Sequence, residues 1–128
     1  MYPKDLESKI GFDTIRHLIS EHCLSAMGQK MVNNMSFSSQ TKSISLWLNQ
    51  TDEFKRILEE EEAFPSENYF DISVIINKLS IEGLYLNEKE LFHIRLLVRL
   101  LEQILTFFKK KEEKYPVLFQ LYAGVGLK

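Results

Sequence analysis

The sequence predicts an all-α fold, an irregular bundle of about six or seven helices around one long central helix. Three observations carry that prediction. The stretch from Asn87 to Lys111 spreads Leu91, Ile94, Leu96, Leu97, Val98, Leu100, Leu101, Ile104, Leu105, Phe107 and Phe108 around most of a helical wheel and confines Arg95, Arg99, Glu102, Gln103 and Thr106 to one strip. Upstream, apolar residues recur at three- and four-residue intervals between Gly, Ser and Pro punctuation. Residues that cap helices stand ahead of these segments, among them Asp13, Ser25, Asp71 and Asn87.

Taken in order, Pro3 or Lys4 opens a short helix carrying Leu6 and Ile10, which Gly11 ends. Asp13 is the expected N-cap of a second helix with Ile15, Leu18 and Ile19 on one face, running to Cys23 or Leu24. Ser25 caps a third, in which Met27, Met31 and Met35 recur at a helical interval as core filler beside Val32. Gly28 lies inside it, at a cost of about 1 kcal/mol against alanine, and suggests close packing against another helix. Ser38 or Ser39 then caps a long helix whose expected inner face is Ile44, Trp47, Leu48, Thr51, Phe54 and Leu58. Its end runs into Glu59, Glu60, Glu61 and Glu62, which oppose the macrodipole and predict fraying.

Ala63 to Asp71 reads as the main loop, with Phe64, Tyr69 and Phe70 pinning it to the bundle. Asp71 caps a shorter helix bearing Ile72, Ile75, Ile76 and Leu79; its β-branched content would also suit a strand, but the spacing and the cap favour helix. Asn87 with Glu90 three residues on makes a capping box that fixes the start of the central helix, and Lys109 to Lys111 suit its last turn. A helix apolar nearly all round predicts cover on several sides. Tyr115-Pro116 permits a final short helix through Leu118 and Tyr122 before Gly124 and Gly126 loosen the tail.

At 128 residues the chain is expected to form one domain, 1–128, burying roughly two thirds of its unfolded surface. A net charge of -2, with 45% hydrophobic and 27% charged residues, gives no global attraction to nucleic acid or anionic membrane. The single cysteine, Cys23, suits a reducing compartment, and no segment reaches the roughly 18 apolar residues of a span, so the expected location is the cytoplasm.

Reaction chemistry is not legible. No glycine pattern begins a P-loop or a dinucleotide fold, so neither a catalytic residue nor a cofactor or metal ligand is assigned. His17 and Glu21 share a helical face but supply only two ligands, His22 lies off their spacing, and Cys23 has no paired base. His93 falls inside the apolar arc of the central helix, where a hydrogen-bonded histidine at the core edge is the simplest reading. With Arg95, Arg99 and Glu102 it marks a candidate partner surface, Arg99 reaching Glu102 one turn on. Lys109, Lys110, Lys111 and Lys114 are the candidate nucleic-acid contact, interrupted by Glu112 and Glu113.

Lys9-Ile10-Gly11-Phe12-Asp13-Thr14-Ile15-Arg16, followed by Leu18, Ser25 and Gly28, resembles the opening of the bacterial type-2 MutS family. Thr51-Asp52-Glu53-Phe54 with Ile57-Leu58, then Asp71-Ile72, Leu79, Glu82-Gly83, Leu86, Glu90-Leu91 and Ile94, and finally Tyr115-Pro116 with Leu118, follow in the same order. The proline expected after the third helix is replaced by Met35-Ser36-Phe37-Ser38. The resemblance implies a non-catalytic N-terminal core or lever region of a larger DNA repair or recombination-control ATPase. Its parent would bind ATP and magnesium, form a homodimer, clamp nucleic acid (DNA, with the ribosome in some relatives), and in many members carry a nuclease-like domain. The rest of the parent chain is then the implied partner, with no membrane. The alternative is an independent helical domain that binds a partner helix or homodimerises through the wide apolar face from Leu91 to Phe108.

Overall fold

The computed structural model describes residues 5–125, and the expectations placed on Pro3, Lys4 and Gly126 lie outside them. Among the described residues seven helices follow one another: α1 Leu6–Lys9, α2 Phe12–Glu21, α3 Ala26–Asn33, α4 Thr41–Glu60, α5 Ser73–Leu79, α6 Glu88–Lys110 and α7 Pro116–Tyr122. No strand occurs among the described residues, so residues 73–79 resolve as helix. No helix among them is long and apolar enough to cross a membrane.

Local signals set most boundaries. The capping box is formed: Asn87 accepts the Glu90 N–H at 2.9 Å and the Glu90 carboxylate accepts the Asn87 N–H at 2.8 Å, fixing the start of α6. Ser25 accepts the Gly28 N–H at 3.1 Å at the head of α3. Three expected caps shift. Gly11, at φ 75°, is the N-cap of α2, so that one glycine both ends α1 and begins α2. Asp13 falls in the first turn instead and receives the Ser8 hydroxyl. Gln40 and Ile72 cap α4 and α5, while Ser38 accepts the Gln40 N–H and Asp71 the Ser73 N–H, each two residues further along the chain. Gly28 faces its own neighbours Cys23 and Ser25, not another helix.

The core occupies one end of the molecule. Ile57 of α4, Leu100, Ile104, Phe107 and Phe108 of α6, and Tyr115 and Leu118 of the α7 region form it. The loop after α4 is pinned as expected: Phe64 packs edge-on against Phe54, Phe107 and Phe108, with ring centroids 5.2–6.3 Å apart, and Phe70 stacks on His93 at 4.6 Å. At the other end, α2 packs against α1 and α3. Arg16 ties that group together, bonding the Glu7 carboxylate at 2.7 Å and the Met35 carbonyl at 2.8 Å.

Burial departs from the sequence reading in three places. The expected inner face of α4 is turned outward: Trp47, Leu48 and Leu58 are 52%, 64% and 66% exposed, while Glu53 and Ile57 are buried. The packing of α7 against α4 selects this face, roughly 120° round from the apolar stripe. α6 is covered on one side, over its C-terminal half, and Leu91, Phe92 and Val98 remain exposed. In α3 only Val32 is buried; Met27, Met31 and Met35 are exposed. The accessible surface of 10412 Å² compares with about 7,100 Å² for a compact monomer of this mass. The surface left open is thus larger than that of a compact monomer.

Candidate functional site

The richest polar constellation lies where α4, the end of α6 and α7 meet. Glu53, 6% exposed, accepts the backbone N–H groups of Val117 and Leu118 at 3.1 and 2.8 Å. Its charge thus sits at the positive end of α7 and satisfies two donors that no residue within α7 can satisfy. Two turns on, Glu61 receives Lys111, Lys114 at 2.8 Å and the Tyr115 hydroxyl at 3.0 Å. Lys111, then Lys114, hold the Glu61 carboxyl down to about 2. Glu60 is lowered as well, chiefly by Lys114, which bonds it at 2.8 Å. Lys114 is raised in turn by Glu60 first and Glu61 second. These contacts act against the predicted fraying: α4 reaches Glu60, and cations from the α6–α7 turn neutralise its acidic end.

The four lysines of the candidate nucleic-acid contact are thereby divided. Lys111 and Lys114 face Glu60 and Glu61, and a strand of phosphates would have to displace those carboxylates. Lys109 and Lys110 are exposed at the end of α6, without an ion pair among the described residues. The candidate partner surface is also divided. His93 is half-buried against Phe70, at the core edge, whereas Arg95, Arg99 and Glu102 are exposed. Arg99 and Glu102 form no ion pair with each other. Arg99, Gln103, Thr106 and Lys110 instead line one wall of a cleft of about 580 Å³ whose other wall is Ala63 and Pro65. A second cleft, about 540 Å³, opens beside Leu105, Phe119, Tyr122 and Val125.

His17 and Glu21 approach to 3.5 Å in the open, and no group of three metal-ligating side chains exists among the described residues. Cys23 is half-buried, its thiol directed at the Ile19 carbonyl at 3.4 Å. Sequence reasoning missed Glu53, Glu61 and Arg16. The signal for Glu53 was a charge next to Phe54 and on the same side as Ile57; Glu61 is indistinguishable from its acidic neighbours in sequence.

Most of this chain is similar to part of much larger proteins. It is 28% identical over 112 residues to an endonuclease MutS2 of Staphylococcus epidermidis, covering 84% of this chain and 14% of the relative. An endonuclease MutS2 of Staphylococcus haemolyticus is 27% identical over 113 residues, and one of Staphylococcus aureus 28% over 112, with the same coverage. The chain thus spans about one seventh of the curated relatives it matches. No family model matches it, and no solved structure does.

Proposed function

We propose that the chain is a non-catalytic N-terminal core or lever module of a MutS-type DNA repair or recombination-control ATPase. The observation that carries this reading is the similarity of 84% of the chain to a one-seventh portion of endonuclease MutS2 proteins. The surface agrees with it, because a module meant to be covered by further protein keeps apolar faces that an independent domain would bury. In this reading ATP and magnesium are bound by the parent, which homodimerises and engages DNA, or the ribosome, in the cytoplasm. The chain's own part is mechanical: α6 is a stiff rod, and the Glu53 and Glu61 contacts fix α4 and α7 to its end.

Two measurements test it. Titration of magnesium and ATP into the 128-residue chain is expected to give no heat of binding, and saturable binding would overturn the non-catalytic role. The gene read past the Lys128 codon is expected to encode a P-loop downstream, and an immediate stop codon would remove the parent ATPase. The exposed Trp47, Leu58 and Val98 also suit the second reading, an independent helical interaction or homodimerisation domain.

A further inference from the structure

Arg99, Gln103, Thr106 and Lys110 recur at intervals of four, three and four, so α6 holds all of them within about 60° of one another on one exposed strip. None has a hydrogen bond or an ion pair among the described residues. They line the cleft of about 580 Å³ whose facing wall is Ala63 and Pro65, and that wall is built in advance. Phe64, between the two, is held by Phe54, Phe107 and Phe108, and the Tyr69 hydroxyl donates to the Pro65 carbonyl at 2.6 Å. A wall fixed in this way has little freedom left to lose when a ligand arrives.

Shape and charge together say what fits there. Arg99 and Lys110 stand about 16 Å apart along the axis, so the cleft volume drawn out over that length gives a cross-section of roughly 35 Å². That is the calibre of an extended chain and well below the about 10–12 Å diameter of a helix. The strip has a cation at each end and neutral groups between them. The Gln103 amide can both donate to and accept from a peptide backbone, and the Thr106 hydroxyl can do the same. Extended carboxylates four positions apart lie on one face about 13 Å from each other, and the long Arg99 and Lys110 side chains close the remainder. Glu102, on the rim that this cleft shares with the second, stands between the two cations. It would repel a continuous line of phosphates, whereas a peptide can set an uncharged residue beside it. The acids at the end of α4 are engaged elsewhere, Glu59 with Lys55, Glu60 with Arg56 and Lys114, and Glu61 with Lys111 and Lys114, and none of them lines the cleft.

We infer that this cleft receives an extended acidic segment of another protein, its carboxylates reaching Arg99 and Lys110 and its backbone pairing with Gln103 between them. The inference rests on the cleft alone and not on the reading above. Fluorescence anisotropy tests it, with the 128-residue chain titrated into the labelled peptide Ala-Glu-Ser-Gly-Ser-Glu-Ala and circular dichroism verifying the fold of each variant. Saturable binding is expected. Replacing both glutamates of the peptide by glutamine should weaken it about tenfold, and Arg99→Glu or Lys110→Glu should each do the same. Lys89→Glu makes the same kind of charge change at an exposed site of α6 outside the cleft. It lies about 15 Å from Arg99, beyond the Debye length at physiological salt, and should change the affinity less than about twofold. The inference is overturned by an absence of saturable binding, by a peptide indifferent to Arg99→Glu and Lys110→Glu, or by an equal loss with Lys89→Glu. An eight-nucleotide thymidine strand that binds more tightly than the peptide, through the same two residues, would assign the cleft to nucleic acid and equally overturn it.

Discussion

Glu53 is the residue whose role depends most on the fold. In sequence it is one acid of eighteen; in the structure it closes the N-terminus of α7 from another helix. Glu53→Ala leaves the Val117 and Leu118 N–H groups unpaired and is expected to destabilise the chain by about 1–2 kcal/mol, measured by urea denaturation. Glu61 sets a pH dependence. Its folded value of about 2 lies below the ordinary 4.5, so its stabilising contribution is complete above pH 4.5 and is lost as the pH falls from there toward 2. Urea midpoints recorded across that window should decline, and Glu61→Gln should flatten the decline; an unchanged slope would remove Glu61 as its source. Arg16 plays the equivalent part at the other end, joining α1 and α2 to the segment after α3.

At the scale of elements, the local code was largely legible and the choice of buried face was not. The α6 capping box is a contact between residues three apart, so Asn87 and Glu90 announce it, and the cap of α3 by Ser25 is of the same kind. The inner face of α4 depends on which helix arrives to cover it. Trp47, Thr51, Phe54 and Leu58 make the more apolar stripe, yet α7 packs against the side that carries Glu53 and Ile57. This gives a sharp contrast between neighbours. Ile57→Ala, at 0% exposure, should cost about 2–5 kcal/mol, whereas Leu58→Ala, 66% exposed, should stay within about 0.5 kcal/mol in the dilute chain. Equal losses at the two positions would show that α4 presents the other face. The candidate lysines obey the same logic, because the acids that occupy Lys111 and Lys114 come from a helix some fifty residues earlier.

The whole molecule is more open than its composition implies. With 45% hydrophobic residues the chain could have closed one core, but its buried cluster gathers at the α4, α6 and α7 end while Ile15, Leu18 and Met31 stay exposed at the other. Small-angle scattering in dilute solution is therefore expected to give a radius of gyration above the roughly 14 Å of a compact chain of this length. A value at that limit would mean that the two ends fold together. Binding to nucleic acid belongs to this scale as well. With Lys111 and Lys114 engaged by carboxylates, the isolated chain should bind duplex DNA weakly, with a salt slope set by cations left open, among them Arg95, Arg99, Lys109 and Lys110 of α6. A steep slope would show that the lysine cluster acts as one unit. What the sequence by itself determined was the helical class, the order of the helices and the caps of α3 and α6, because propensity, periodicity and capping act over a few residues. Only the tertiary structure decided which stripe of α4 is buried, which glutamates close α7, and that α6 is covered on one side, because burial is a property of two surfaces and the second is not written beside the first.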